Sequence, residues 1–202
     1  MYVPEAFRRD DPATLHQFIR THPFATLVTS AADVPQVTHL PLILEGGLLR
    51  GHLARGNPHW KQIAAGQPAL AIFMGPHAYV SPQWYPGKKV DGKAVPTWNY
   101  AVVHAAGSIR VIEDADWLRA HVGALTDQQE APFAEPWKVS DAPEDYLGKM
   151  LTAIVGIELA ITSLTGKWKL SQNRTAADHD GVREGLAALG GTSAGVAAMM
   201  KR

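Results

Sequence analysis

The chain of 202 residues has no cysteine. That absence removes disulfides, thiolate nucleophiles, iron–sulfur clusters and cysteine-type zinc sites together. It also lacks an excess of charge of either sign, with 19 Lys+Arg against 19 Asp+Glu. Proteins that grip duplex DNA usually neutralise several phosphates with a basic face, and this charge total promises none. Charged residues are scarce at 19%, which argues against disorder, while a hydrophobic share of 46% suffices for a core. Long apolar runs are missing too. The longest, Ile154 to Ile161, is interrupted by Gly156 and Glu158, far short of the roughly 20 residues that span a bilayer. Met1-Tyr2-Val3-Pro4-Glu5 contains no basic segment followed by an apolar one, so no secretory signal is read there. The expectation is a soluble, cytoplasmic protein without a membrane partner.

Signature motifs are also absent. No G-x-G-x-x-G follows a strand, no P-loop Lys-Ser/Thr pair occurs, and no Ser sits in G-x-S-x-G. Gly190 to Gly195 is glycine-rich but follows a helical pattern, so it reads as a helix stop. Nine histidines are present without H-E-x-x-H or H-x-H spacing. They read as hydrogen-bonded or exposed imidazoles, and no metal site is expected.

What is present reads as strands with helices at the margins. Asp11-Pro12 caps a helix over 12–21. Strands follow at 24–29, 36–44 and 48–54, with a turn at Ala31-Ala32-Asp33 and a hairpin at Gly46-Gly47. Pro41 lacks an N–H and belongs at a bulge, an edge or a ligand site. Asn57-Pro58 opens a helix through Ala65. Ala69 to Met74 and Tyr79 to Ser81 read as two strands, 82–96 as a loop and 98–112 as a long strand. Asp114 caps a helix carrying Trp117, Leu118, His121, Val122 and Leu125. A short helix surrounds Tyr146, Leu147 and Met150, and a strand covers 153–163. Thr175 with Asp178 starts another helix, and Ser193 to Arg202 is either a last turn or a frayed tail. The class is α+β on a closed or nearly closed barrel, mostly antiparallel.

Three stretches carry candidate chemistry. In Leu49 to Trp60, a strand end is followed by Arg55, a bend at Gly56 and the Asn57-Pro58 helix start. Helix N-termini attract anions and an Arg can fork onto phosphate oxygens; the alternative is a capped joint with a solvated Arg. Pro96-Thr97-Trp98-Asn99-Tyr100 can line a planar ligand or fill a barrel end. Lys167-Trp168-Lys169-Leu170-Ser171-Gln172-Asn173-Arg174 reads either as a solvated turn or as a polar clamp on a charged ligand.

Taken in order, these motifs resemble the PaiB-like family of FMN-binding negative transcriptional regulators. The resemblance rests on Met1-Tyr2-Val3-Pro4, Thr38-His39-Leu40-Pro41, Gly51 through Pro58, Tyr79-Val80-Ser81-Pro82, Val95 through Tyr100, and Lys167 through Arg174. It implies an FMN-binding split β-barrel with peripheral helices, like that of pyridoxamine-phosphate oxidases. It implies one domain over 1–202, with 165–202 a C-terminal helical appendage, and a homodimer with flavin in clefts between subunits. The cofactor-binding residues it implies are Thr38, His39, Leu40, His52, Ala54, Arg55, Asn57, Trp98, Asn99, Lys169, Gln172 and Arg174. Those oxidases usually present a richer Ser-Arg-Lys set at the phosphate; here Arg55 is the only cation in that loop, which Lys169 or Arg174 would have to supplement.

The expected role is a flavin-dependent sensor or regulator, with an FMN-dependent oxidoreductase acting on a small molecule as the alternative. His39, His52 and Tyr100 are the acid–base groups the latter would use, but no catalytic residue is assigned. No helix pair offers a basic recognition helix, so direct DNA binding is not expected despite the family's regulatory name.

Overall fold

A computed structural model describes residues 1–31 and 33–200. Ala32 of the expected turn and Lys201-Arg202 of the tail lie outside the described residues. Eight strands and six α-helices follow one another: β1 (Arg8–Arg9), α1 (Pro12–Thr21), β2 (Phe24–Thr29), β3 (Gln36–Pro41), β4 (Ile43–Glu45), β5 (Leu48–Ala54), β6 (Gln67–Val80), α2 (Lys88–Asp91), β7 (Thr97–Ile112), α3 (Ala115–Glu130), α4 (Glu144–Thr152), β8 (Ile154–Lys169), α5 (Ala176–Leu189) and α6 (Gly191–Met199). The strands hydrogen-bond in the order β3-β2-β6-β7-β8-β5-β4, with β1 added on β8. The registered pairs β2–β3, β4–β5, β5–β8 and β1–β8 are all antiparallel.

The caps form as the sequence dictates. Asp11 Oδ2 accepts the Thr14 N–H at 2.8 Å, Asp114 Oδ1 accepts that of Trp117 at 2.7 Å, and Thr175 Oγ1 that of Asp178 at 3.2 Å. Each satisfies an N–H that the helix leaves without a partner. Gly46 and Gly47, at φ of 53° and 84°, supply the left-handed pair that a two-residue hairpin between β4 and β5 requires.

Five expectations change. The stretch 82–96, expected as a loop, holds a 3-10 turn over Pro82–Trp84 and the short helix α2. The helix expected from Asn57 to Ala65 is a 3-10 turn over Pro58–Gln62, because Asn57 Oδ1 takes the His59 N–H and the chain is extended again at Ile63. The two runs at 69–74 and 79–81 are one strand, β6, which continues through Pro68 and Gly75-Pro76. The expected strand 36–44 divides after Pro41, where Leu42 N–H leaves the ladder for Pro23 O at 2.9 Å. The last strand does not stop at Ser163 but runs to Lys169, so Lys167 and Lys169 stand on a strand rather than in a turn. The tail forms α6 as far as Met199.

The residues gather into two compact units. The first holds residues 1–18, 73–104 and those from Leu164 onward; the second holds 19–72 and 105–163. β6, β7 and β8 each run from one into the other along the chain. In the second unit, β5 buries Leu49 and Leu53 while Arg50 and His52 point the other way, as strand alternation requires. Its core includes Leu27, Ile109, Val155, Ile157 and Leu159. In the first unit Phe73, Val80, Val103, Val182, Leu186 and Val196 are buried, and Phe18 packs on Trp168 with ring centroids 4.8 Å apart. No described helix is long and apolar enough to cross a membrane.

Candidate functional site

In the second unit, Thr38 and Asn57 are joined by a third side chain, His59, that was not among the expected site residues. His59 is 1% exposed. Its Nε2 lies 2.8 Å from Thr29 Oγ1 and its Nδ1 2.8 Å from Thr38 Oγ1, while Asn57 Nδ2 donates to Thr38 Oγ1 at 3.1 Å. With the Thr38 oxygen already accepting from Asn57, its proton is assigned to His59 Nδ1, and His59 Nε2–H to Thr29. Burial pushes the His59 pKa down, which keeps the ring neutral and the network intact. Its threonine partners are 30 and 21 positions away, so no short motif points to this histidine.

Other nominated residues of this unit are committed elsewhere. Arg55 donates from Nε to Thr152 O at 3.0 Å, from Nη1 to Glu113 Oε2 at 2.6 Å and from Nη2 to Ile154 O at 3.3 Å. Every nitrogen of its guanidinium is therefore in use. In the five-residue 3-10 turn after it, Pro58 carries no N–H and Asn57 Oδ1 takes that of His59, which leaves fewer donors for an anion than an α-helix start offers. Leu40 belongs to the core at 3% exposure. His39 is exposed beside Thr26 Oγ1 at 3.0 Å and stacks on Phe24. Ala54 ends β5, exposed. His52 turns away from Thr38 and Asn57: its Nδ1 meets His121 Nε2 of α3 at 3.2 Å.

The nominated residues of the first unit come together. Lys169 Nζ donates to Trp98 O at 2.9 Å and to Thr97 Oγ1. Lys167, two positions earlier on β8, is 8% exposed; its Nζ donates to Tyr2 O at 3.1 Å and lies 5.6 and 5.4 Å from the Tyr2 and Tyr100 ring centres. Arg174 stacks over Tyr85 at 4.8 Å. Among the described residues, none of these three cations is paired with a carboxylate. Burial first, and then the charges of Lys167 and Arg174, lower the Lys169 pKa. The positive charges thus crowd one another, a condition that an anion relieves.

Aromatic surface lies beside them. Trp98 is 52% exposed, with Tyr79 edge-on at 6.3 Å and His77 at 5.9 Å between ring centroids. Asn99 is fully buried: its Nδ2 donates to Ser171 Oγ at 3.0 Å and its Oδ1 accepts from the same hydroxyl at 3.3 Å. Gln172 closes its own turn, accepting from Leu170 N–H and donating to Trp168 O. Ser171 is left-handed at φ 64°, a conformation costly for a non-glycine residue and held here by Asn99. Asn99 and Gln172 thus shape the turn that follows Lys169.

Among the described residues no group of three or more His, Asp or Glu is placed to hold a metal ion.

A family model described as "Putative FMN-binding domain" matches residues 1–163. The protein PAI 2 of Bacillus subtilis, named for protease synthase and sporulation, is 33% identical over 92% of this chain and 89% of its own. An uncharacterized protein of Emericella nidulans is 34% identical, covering 96% of this chain and 93% of that protein. Among solved structures, an FAD and haem binding protein of Mycobacterium smegmatis superposes with a TM-score of 0.63 at 20% identity, over 91% of this chain and 80% of that one. The flavocytochrome Anf3 of Azotobacter vinelandii follows with 0.59 at 16%, over 87% and 73%. These likenesses show the fold, a split β-barrel with peripheral helices.

Proposed function

The chain belongs to the PaiB-like family of FMN-binding split-barrel proteins, and from that membership we propose that it is a homodimeric flavin-dependent sensor or regulator whose FMN is held by Lys169 and Arg174 beside Trp98. FMN is the family's cofactor. It brings a dianionic phosphate and a flat conjugated ring. The observation that carries the reading is the convergence of Lys167, Lys169 and Arg174, without a carboxylate partner among the described residues, next to an exposed tryptophan. Such donors suit a phosphate through charge-assisted hydrogen bonds, and an exposed indole suits a flat ring. Lys167, enclosed by Tyr2 and Tyr100, contributes charge at a distance. The residues fit the group.

Arg55, the cation first expected at the phosphate, has its donors on Glu113 and two carbonyls, so the phosphate contact is assigned to Lys169 and Arg174. The bound flavin supplies redox chemistry; the chain's part is to bind and orient it. Regulation is the reading favoured by the Bacillus subtilis relative, whose name refers to protease synthase and sporulation. The second reading, an FMN-dependent oxidoreductase acting on a small molecule, draws on His77, an imidazole 5.9 Å from Trp98.

The test is titration of FMN into the purified protein, followed by visible absorption. Binding shifts and structures the flavin bands; an unchanged free-FMN spectrum at micromolar protein would overturn the proposal. Oxygen-free reoxidation of the reduced protein by small-molecule acceptors, slowed in His77→Ala, would move the conclusion to the oxidoreductase.

A further inference from the structure

On the face of β5 opposite the core lies a second set of polar groups, all within the second unit. Arg50 reaches Glu45 at 2.6 Å through Nη1 and Glu158 at 3.0 Å through Nε, and Arg110 joins Glu158 at 2.6 Å. Next along the strand, His52 meets His121, and the Trp117 ring lies on His121 with centroids 5.1 Å apart and planes 19° apart. Trp117 sits this close because β8 has a glycine beneath it: a Cβ at Gly156 would overlap the indole.

Between these groups is a half-open cavity of about 230 Å³, walled by Ile43, Glu45, Arg50, Trp117, His121 and Ala124. Cavities of roughly 150 Å³ hold benzene, so one substituted ring fits. His121 is 5% exposed, and its Nδ1 is buried with no hydrogen-bond partner among the described residues. A buried polar atom without a partner costs about 1–3 kcal/mol, and this one belongs to a side chain that lines the cavity. Arg50 has Nη2 without a protein partner among the described residues, its other two nitrogens being committed.

We propose that this cavity binds a small, uncharged, planar molecule that presents a hydrogen-bond acceptor and a donor on one edge, a lactam or carboxamide heterocycle. The acceptor takes Arg50 Nη2–H, and the donor gives its proton to His121 Nδ1 after a small shift of the ring, because that atom is closed to solvent. That direction follows from charge: beside the Arg50 cation an imidazole turns its lone pair, not its N–H, toward the positive group, which leaves the His121 proton on Nε2 facing His52. Neutrality follows from the balance around the cavity, where Arg50 and Arg110 are matched by Glu45 and Glu158. A charged ligand would bring an ion with no counter-charge left for it. Planarity follows from the Trp117–His121 stack of α3, a flat aromatic surface in a wall that Ala120 and Ala124 of the same helix keep low.

Uracil and nicotinamide serve as neutral probes, benzoate and benzamidine as charged ones, each titrated into the purified, FMN-saturated protein. The readout is the ring nitrogen signals of His121, with flavin absorption recorded in parallel. Uracil or nicotinamide should move His121 with a dissociation constant on the order of 1 mM or tighter, within the affinity open to a ligand of that size. Ala124→Leu, which fills the cavity and keeps helix propensity, should weaken this at least tenfold without altering the flavin spectrum. Ala120→Leu, at a position that also lines the cavity, is the second filling variant should the first not fold. A silent His121 at about 20 mM of both neutral probes, equal binding of benzoate or benzamidine, or full binding to the filled variants would overturn the proposal. Because the flavin signal is read separately, a failure here leaves the FMN assignment standing, and the reverse.

Discussion

Arg55 Nη1 donates to Glu113 Oε2 over 2.6 Å, joining the end of β5 to the residue after β7 within one unit. With Nε and Nη2 on backbone carbonyls, the side chain acts as a fastening. Arg55→Ala should therefore lower stability by roughly 1–2 kcal/mol, the range for a few hydrogen bonds at a part-exposed site. FMN and riboflavin affinities should both stay within about threefold, a change of well under 1.4 kcal/mol. Urea unfolding and a paired titration with the two ligands decide it. A tenfold loss for FMN alone would return the phosphate to Arg55.

Lys169→Ala should behave in the opposite way. A charge-assisted contact to phosphate contributes on the order of 1.5–3 kcal/mol, so FMN should weaken by about tenfold to a hundredfold. Riboflavin, which lacks the phosphate, should be nearly indifferent. Equal losses for both ligands would place Lys169 at the ring instead.

His121 predicts an acid sensitivity. Burial, followed by the charges of His52 and Arg50, brings its pKa from 6.5 to about 4. Between those values the unfolded chain takes up a proton that the folded ring refuses. Stability is therefore full above pH 6.5 and falls as pH drops toward 4. The loss approaches roughly 3 kcal/mol from this group. Urea midpoints measured from pH 7 to pH 4 should show that slope, and His121→Phe should flatten it.

Glu158 ties two arginines on the same face of the sheet. Burial alone would raise its carboxyl, but hydrogen bonds from Arg110 and Arg50 outweigh this and hold it below 4.5. Its contribution is present above pH 4.5 and disappears as pH falls through the lowered value. Glu158→Gln removes the charge of a buried carboxylate whose arginine partners stay part-exposed or exposed, and should cost about 1–3 kcal/mol at neutral pH. Glu45→Gln, at an exposed position, should cost under about 1 kcal/mol. Thermal melts of the two variants side by side check the ratio.

Exposed apolar side chains on strands predict assembly. Phe24 and Val37 in one unit, and Met74, Tyr79 and Trp98 in the other, are each at least 46% exposed. We expect symmetric pairing to cover such surface, with more than ~1,000 Å² buried in total. Light scattering at micromolar concentration should report twice the chain mass; a monomer would refute this.

Much of the architecture was written locally. Asp11, Asp114 and Thr175 announced their helices because a cap needs only three neighbouring residues. The Gly46-Gly47 hairpin was equally plain. β6 was not, because Pro68 and Gly75-Pro76 argue against a strand and only neighbouring strands keep it extended. The 3-10 turn at Pro58 was hidden for a related reason, since tertiary threonines fix His59 and end the helix early. At the site, Trp98, Lys169 and Arg174 stood out as clustered types within short motifs. Lys167 stood in the same motif, but its burial between Tyr2 and Tyr100 could not be read. His52 and His121 are 69 positions apart, and no spacing rule joins them.

Strand geometry places Lys167 and Lys169 on the same side of β8, with no carboxylate beside either among the described residues. That has a bearing at the bench. Flavin-free protein dialysed into dilute buffer should be at its most fragile, because little salt is left to screen like charges held this close. Sulfate should rescue it by occupying the same place. Phosphate buffer is then a competitor rather than a neutral medium: flavin affinities measured in it should come out weaker than in a buffer of bulky organic ions at equal ionic strength.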